Sequence, residues 1–112
     1  MSKSCTVKEL IIDPKFSHKI MRRKKLGTTR KKVKLHVGDQ FVFTTGGLGP
    51  SPGGTYICTA VIAAPAYKII MEHYAEEGYE SAIDFVRDIT SFYDTVEAGE
   101  TLYFHRFELV VE

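Results

Sequence analysis

The chain has 112 residues, 44% of them hydrophobic and 12% aromatic, with a formal net charge of +1. That length suits one domain, expected over residues 1–112 with its own core, and the composition excludes a disordered or collagen-like chain. No apolar run approaches the roughly 20 residues a membrane-spanning helix needs, and MSKSCTVKEL at the start lacks a signal-peptide core, so a soluble, cytoplasmic protein without a membrane partner is expected.

The small net charge conceals an asymmetry. Residues 1–34 hold twelve Lys/Arg and two acids, a balance of +10, whereas residues 35–112 hold three Lys/Arg and twelve acids, a balance of −9. A split this sharp points to a basic face built by the first third of the chain. Cys5 and Cys58 are too few for a disulfide framework and read as buried free thiols.

In chain order, Cys5 to Ile12 reads as a strand that stops at Asp13-Pro14. Asp as N-cap and Pro at the first helical position then start a helix, with Phe16, Ile20 and Met21 on its apolar side and its end near Arg23 or Lys24. Thr28–Lys34 is β-rich and reads as a strand or extended arm. Val37-Gly38-Asp39 forms a tight turn into a strand over residues 40–45. GGLGPSPGG, residues 46–54, runs into the β-like stretch 55–64 rather than into a helix. That setting fits a long hairpin loop and not a phosphate-cradling P-loop or a dinucleotide fingerprint.

Residues 66–75 are expected to be helical, with Tyr67, Ile70, Met71 and Tyr74 on one face. Ser81 then caps a second helix whose stripe is Ala82, Phe85, Val86, Ile89 and Phe92. The last strand begins at Thr101, and its apolar parity shifts between Phe104 and Phe107, so a bulge is expected near His105-Arg106. The order β-α-β-β-β-α-α-β implies an α+β domain around a small, mostly antiparallel sheet or barrel.

The four histidines, His18, His36, His73 and His105, lack metal-ligand spacing, so no metal and no cofactor is expected. The segment RRKKLGTTRKKVK, residues 22–34, carries eight cations and no acid. Both a solvated face and nucleic-acid contact fit such a run; phosphate binding would use Arg22, Arg23, Lys24, Arg30, Lys31 and Lys32. Period-2 logic puts Thr28 and Arg30 on one face, and Lys25 joins them only if the chain kinks at Gly27. A lysine beside a threonine hydroxyl is a nucleophile pair if burial lowers the amine's pKa.

Lys25-x-x-Thr28-x-Arg30, Val37-Gly38-Asp39 opening a strand, Glu77-Gly78-Tyr79-Glu80-Ser81 before an amphipathic helix, and a closing strand with Phe107-Glu108 occur in that order. Together they resemble the ASCH domain family over roughly residues 7–111. The resemblance implies a PUA-like fold, a small mixed or antiparallel β-barrel with flanking helices. It implies an RNA- or nucleotide-binding module whose pocket is lined by Lys25, Thr28, Arg30 and Glu77, with Tyr56 or Tyr79 available to stack a base. A second branch of the resembled family implies an amidohydrolase that deacetylates N4-acetylcytidine. Its catalytic Lys, Thr and Glu fall on Lys25, Thr28 and Glu77, with Glu76 one residue away as the alternative. The partner implied is therefore RNA or a modified nucleoside.

Overall fold

The computed structural model describes residues 7–47, 52–93 and 95–110. Cys5 and residues 48–51 of the glycine-rich loop lie outside them. The elements are β1 (Lys8–Ile11), a 3₁₀ turn (Pro14–Phe16) continuing into α1 (Ser17–Met21), β2 (Gly27–Arg30), β3 (Gln40–Thr44), β4 (Tyr56–Pro65), α2 (Ala66–His73), α3 (Ala82–Phe92) and β5 (Thr101–Leu109). Their order is the expected one, and the fold is α+β.

The five strands form one sheet in the order β1-β3-β4-β5-β2, with β1 parallel to β3 and every other pair antiparallel. The expected barrel does not form. β1 and β2, four residues each, are the two edges and do not pair. Between them stands a side chain instead of a ladder: Arg30 Nη2 donates to the carbonyl of Ile11 at 2.9 Å. The sheet thus curls until its edges are one side chain apart, and a cavity lies at the open seam.

The spine is the long β4–β5 ladder, running from Tyr56 opposite Leu109 to Pro65 opposite Thr101. The irregularity foreseen on β5 sits on its partner. The register slips between Cys58 and Ala60, opposite Phe107 and Arg106. One extra residue on β4 switches the face that β5 presents, so Phe104, His105 and Phe107 are all buried.

Beneath the sheet, Phe41, Phe43, Tyr56 and Phe107 pack with ring centroids 5.1–6.0 Å apart, mostly edge to face. Each such pair contributes about 0.5–1.5 kcal/mol beyond its area burial. Tyr56 therefore belongs to the core and is not a stacking platform. Gly27 is required by contact: a Cβ there would lie 2.1 Å from the Phe104 ring.

The helices differ from their sequence stripes in instructive ways. Asp13 Oδ1 accepts from Lys15 N at 3.0 Å and Pro14 follows, as the cap signal implied. The helix is shorter than expected because Lys24 N and Lys25 N both turn back to the carbonyl of Lys19, and Arg23 takes a positive φ of 61°. α2 buries Ala66 and Ile69, leaving Tyr67 and Met71 exposed. It follows β4 without a break, and Ala66 N is held by the carbonyl of Glu100 at 2.8 Å, so the sheet sets its rotation. α3 is capped by Ser81, whose hydroxyl accepts from Asp84 N at 3.2 Å, and it buries Phe85 and Ile89. Among the described residues, no helix is long and apolar enough to cross a membrane.

Candidate nucleotide-sized cavity

The site begins with the turn between α1 and β2. The two hydrogen bonds to Lys19 O carry the chain sharply around, and Leu26 N then donates to the carbonyl of Glu76 at 2.6 Å. That bond ties the segment before β2 to the turn after α2. Gly78, at φ 95°, ends the second turn, and a Cβ there would lie 3.1 Å from the Lys19 side chain and 3.4 Å from the Lys24 carbonyl. The result sets Lys25 beside Glu77, 52 positions away.

Lys25 Nζ donates to Glu77 Oε1, and the two side chains are only 3% and 4% exposed. Thr29 Oγ1 donates to the other carboxylate oxygen, Oε2. The Lys25 ammonium also lies 4.8 Å from the centroid of the Phe16 ring, a cation–π contact that offsets part of its lost hydration. Burial pulls the Lys25 amine below its usual pKa, against the opposing pull of Glu77. Glu76 faces the other way: its carboxylate takes Arg106 Nε at 2.6 Å and Nη2 at 2.9 Å, with His73 Nδ1 at 2.8 Å. These bonds, Arg106 foremost, hold its pKa below the usual carboxylate range. Of the two glutamates weighed from the sequence, Glu77 is the one in the cavity.

This cavity, of about 360 Å³, has a polar side of Lys25, Thr28, Thr29, Arg30, Thr45 and Glu77. Its apolar residues are Phe16, Tyr79, Phe85, Ile89, Phe92 and Tyr93, and Ile11 to Pro14 complete the lining. The size and the mixed lining suit a ligand of nucleoside dimensions. The Tyr79 phenol donates to Asp88 Oδ2 at 2.8 Å and stacks on Phe85, and burial pushes its pKa up. Arg30 Nε donates to Thr28 Oγ1 at 3.3 Å.

The structure thus brings Lys25, Thr28, Arg30 and Glu77 to one cavity. It places the other cations elsewhere. Arg22, Arg23 and Lys24 are exposed on the turn after α1, and Lys32 is exposed beyond β2. Lys31 is occupied by the protein itself: Nζ donates to the carbonyl of Thr95 at 3.1 Å, lies 3.5 Å from Glu100 and sits over the Tyr93 ring. Thr29 was missed because strict alternation placed it opposite Thr28. The Thr-Thr doublet was the available signal. Tyr79 was among the aromatics singled out, but the rest of the aromatic wall was missed, because the α3 stripe reads equally well as core.

Behind the cavity, His105 is fully buried in β5. Its Nε2 accepts from Lys34 N at 3.0 Å, and its Nδ1 lies 3.2 Å from the carbonyl of Thr28. These partners assign a neutral ring with the proton on Nδ1.

The sequence matches no protein-family model and no curated protein. Solved structures match the fold. An ASCH protein from Zymomonas mobilis aligns at TM-score 0.65 and 14% identity, over 91% of this chain and 65% of that one. The chain therefore spans just under two thirds of that protein. The ASCH domain from Lactobacillus crispatus gives 0.64 and 14% over 93% and 80%. The Enterococcus faecalis protein EF3133 gives 0.67 and 14% over 98% and 79%. The fold is ASCH-like.

Burial, opposed by the Thr28 carbonyl contact, holds the His105 pKa below its usual value. The unfolded chain therefore takes up a proton that the folded chain refuses. Stability from this group is complete above about pH 6.5 and is lost as pH falls below it. Urea unfolding followed from pH 7.5 downward is expected to show this loss, and His105→Gln, less stable at pH 7.5, is expected to show a shallower one.

Proposed function

We propose that the protein is an RNA- or nucleotide-binding module that takes one base into the cavity. The observation that carries this reading is the cavity itself: an aromatic wall for a flat heterocycle faces donors and acceptors on Lys25, Thr28, Thr29, Arg30 and Glu77. A single-stranded nucleotide supplies both complements, since unstacked bases bind aromatic side chains and hydrogen-bond along their edges. The exposed Arg22, Arg23, Lys24 and Lys32 supply sequence-independent phosphate contacts outside the cavity. The +10 balance of residues 1–34 and the ASCH-like fold support the same reading.

A second reading rests on the meeting of Lys25, Thr28 and Glu77 at one cavity. Hydrolysis of N4-acetylcytidine would start with Thr28 Oγ attacking the acetyl carbonyl carbon. A neutral Lys25 amine would take the hydroxyl proton and pass it to the departing N4 amine. Water, oriented by Glu77, would then cleave the threonyl ester and release acetate. The lowered pKa of Lys25 favours this role, and Thr28 accepts rather than donates in its bond to Arg30, which leaves its own proton free to move.

Binding of fluorescent single-stranded RNA, followed across a salt series, is expected to weaken steeply with salt. Replacing Arg22, Arg23 and Lys24 together by Gln is expected to reduce the log–log slope by about two units, at roughly 0.7 per phosphate contact. RNA affinity independent of salt would contradict the binding reading. For the second reading, incubation with N4-acetylcytidine is expected to yield cytidine with the native chain and none with Lys25→Ala. Undiminished turnover by that variant would remove the mechanism.

A further inference from the structure

The cavity holds two cations whose situations differ. Lys25 has Glu77 as its counter-charge. Arg30 has no carboxylate partner among the described residues; it donates to the Thr28 hydroxyl and the Ile11 carbonyl, both neutral. A guanidinium carries five N–H donors, so three remain beyond those two bonds. The other carboxylate on the lining, Asp13, is exposed and engaged in capping the turn before α1.

Burial dominates the electrostatics of Arg30 and pulls its pKa below the usual arginine value. The Tyr93 phenol and, less strongly, Glu77 act against that pull. Tyr93 lines the same cavity and is held there by Lys31 over its ring at 5.3 Å. A half-dehydrated, fork-shaped cation lacking a counter-charge is costly to keep unless an anion completes it. The planar fork suits the oxygens of a phosphate.

We propose that Arg30, with the hydroxyls of Thr28 and Tyr93, is an anion subsite that takes the phosphate monoester of a nucleotide whose base lies against the aromatic wall. The proposal rests on the nucleotide-binding reading above and adds the part of the ligand recognised. A monoester carries up to two negative charges and three free oxygens, whereas an internal phosphodiester carries one charge and two, so the monoester is the better complement to an unpaired guanidinium fork. The same chemistry comes from a free nucleoside monophosphate or from the phosphorylated end of an RNA strand.

The test is calorimetric titration of the full chain with the four ribonucleosides, their 5′- and 3′-monophosphates, and base-free phenyl phosphate. At least one monophosphate is expected to bind about tenfold or more tightly than its nucleoside, the factor a charge-assisted hydrogen bond supplies. In Arg30→Gln that advantage is expected to vanish, and Arg30→Lys, which keeps the charge but not the fork, is expected to retain part of it. Monophosphates no better than nucleosides, together with silence from phenyl phosphate, would overturn the inference; so would an advantage undiminished in both variants. The comparison within the native chain stands even if Arg30→Gln fails to fold. Arg30-dependent binding of phenyl phosphate without any nucleotide binding would keep the subsite and remove the nucleotide reading. Short oligoribonucleotides with and without a terminal phosphate separate the two sources: a preference for the phosphorylated strand assigns the RNA end, and its absence beside a monophosphate preference assigns the free nucleotide.

Discussion

The buried Lys25–Glu77 pair is the interaction on which the rest of the site depends. Two opposite charges, almost without solvent, sit where the turn before β2 meets the turn after α2. Desolvating them costs several kcal/mol per ion, and their attraction repays that cost only with good geometry and saturated hydrogen bonding. The structure supplies both: Thr29 takes the second carboxylate oxygen, and the Phe16 ring faces the ammonium. Removing one partner would strand the other in an apolar surround. The pair therefore fixes how two distant segments meet, and a cavity floor follows from that meeting.

Edge strands give the cavity its place. A closed barrel would have satisfied the outer edges of β1 and β2 by pairing them. Here each strand is only four residues long, and a single arginine bridges the gap. The cavity at this opening is lined by a polar strand and by the aromatic residues of α3 and its neighbours. The opposite side of the Glu76–Glu77 turn is secured by Arg106 and His73, the latter stacked on Phe104 at 4.4 Å. Adjacent glutamates of one turn thus face opposite ways, one toward Arg106 and His73 and the other toward the cavity.

Much of this was legible in the sequence. Element order, the Asp13-Pro14 and Ser81 caps, and the turn at Gly38 follow from local chemistry, and the structure repeats them. The convergence of Lys25, Thr28, Arg30 and Glu77 was expected from the motif order rather than from physics alone. What was hidden depended on three-dimensional neighbours. The rotation of α2 is set by its direct continuation from β4, which no stripe of Tyr67 and Met71 could reveal. The bulge was placed on the wrong strand because parity in β5 reports a mismatch without saying which strand holds the extra residue. Lys31 counts as a surface cation in the sequence, and only the fold turns it toward Glu100 and Tyr93.

Whether the Lys25–Glu77 pair holds the cavity floor together is decided by a double-mutant cycle on Lys25→Met and Glu77→Leu, read by chemical unfolding. Each single substitution is expected to cost about 3–5 kcal/mol, because each leaves a charge buried and unpaired. The double variant is expected to lose far less than their sum, giving a large coupling energy. Small, additive losses would contradict this, for they would mean that the two side chains do not hold the cavity floor together.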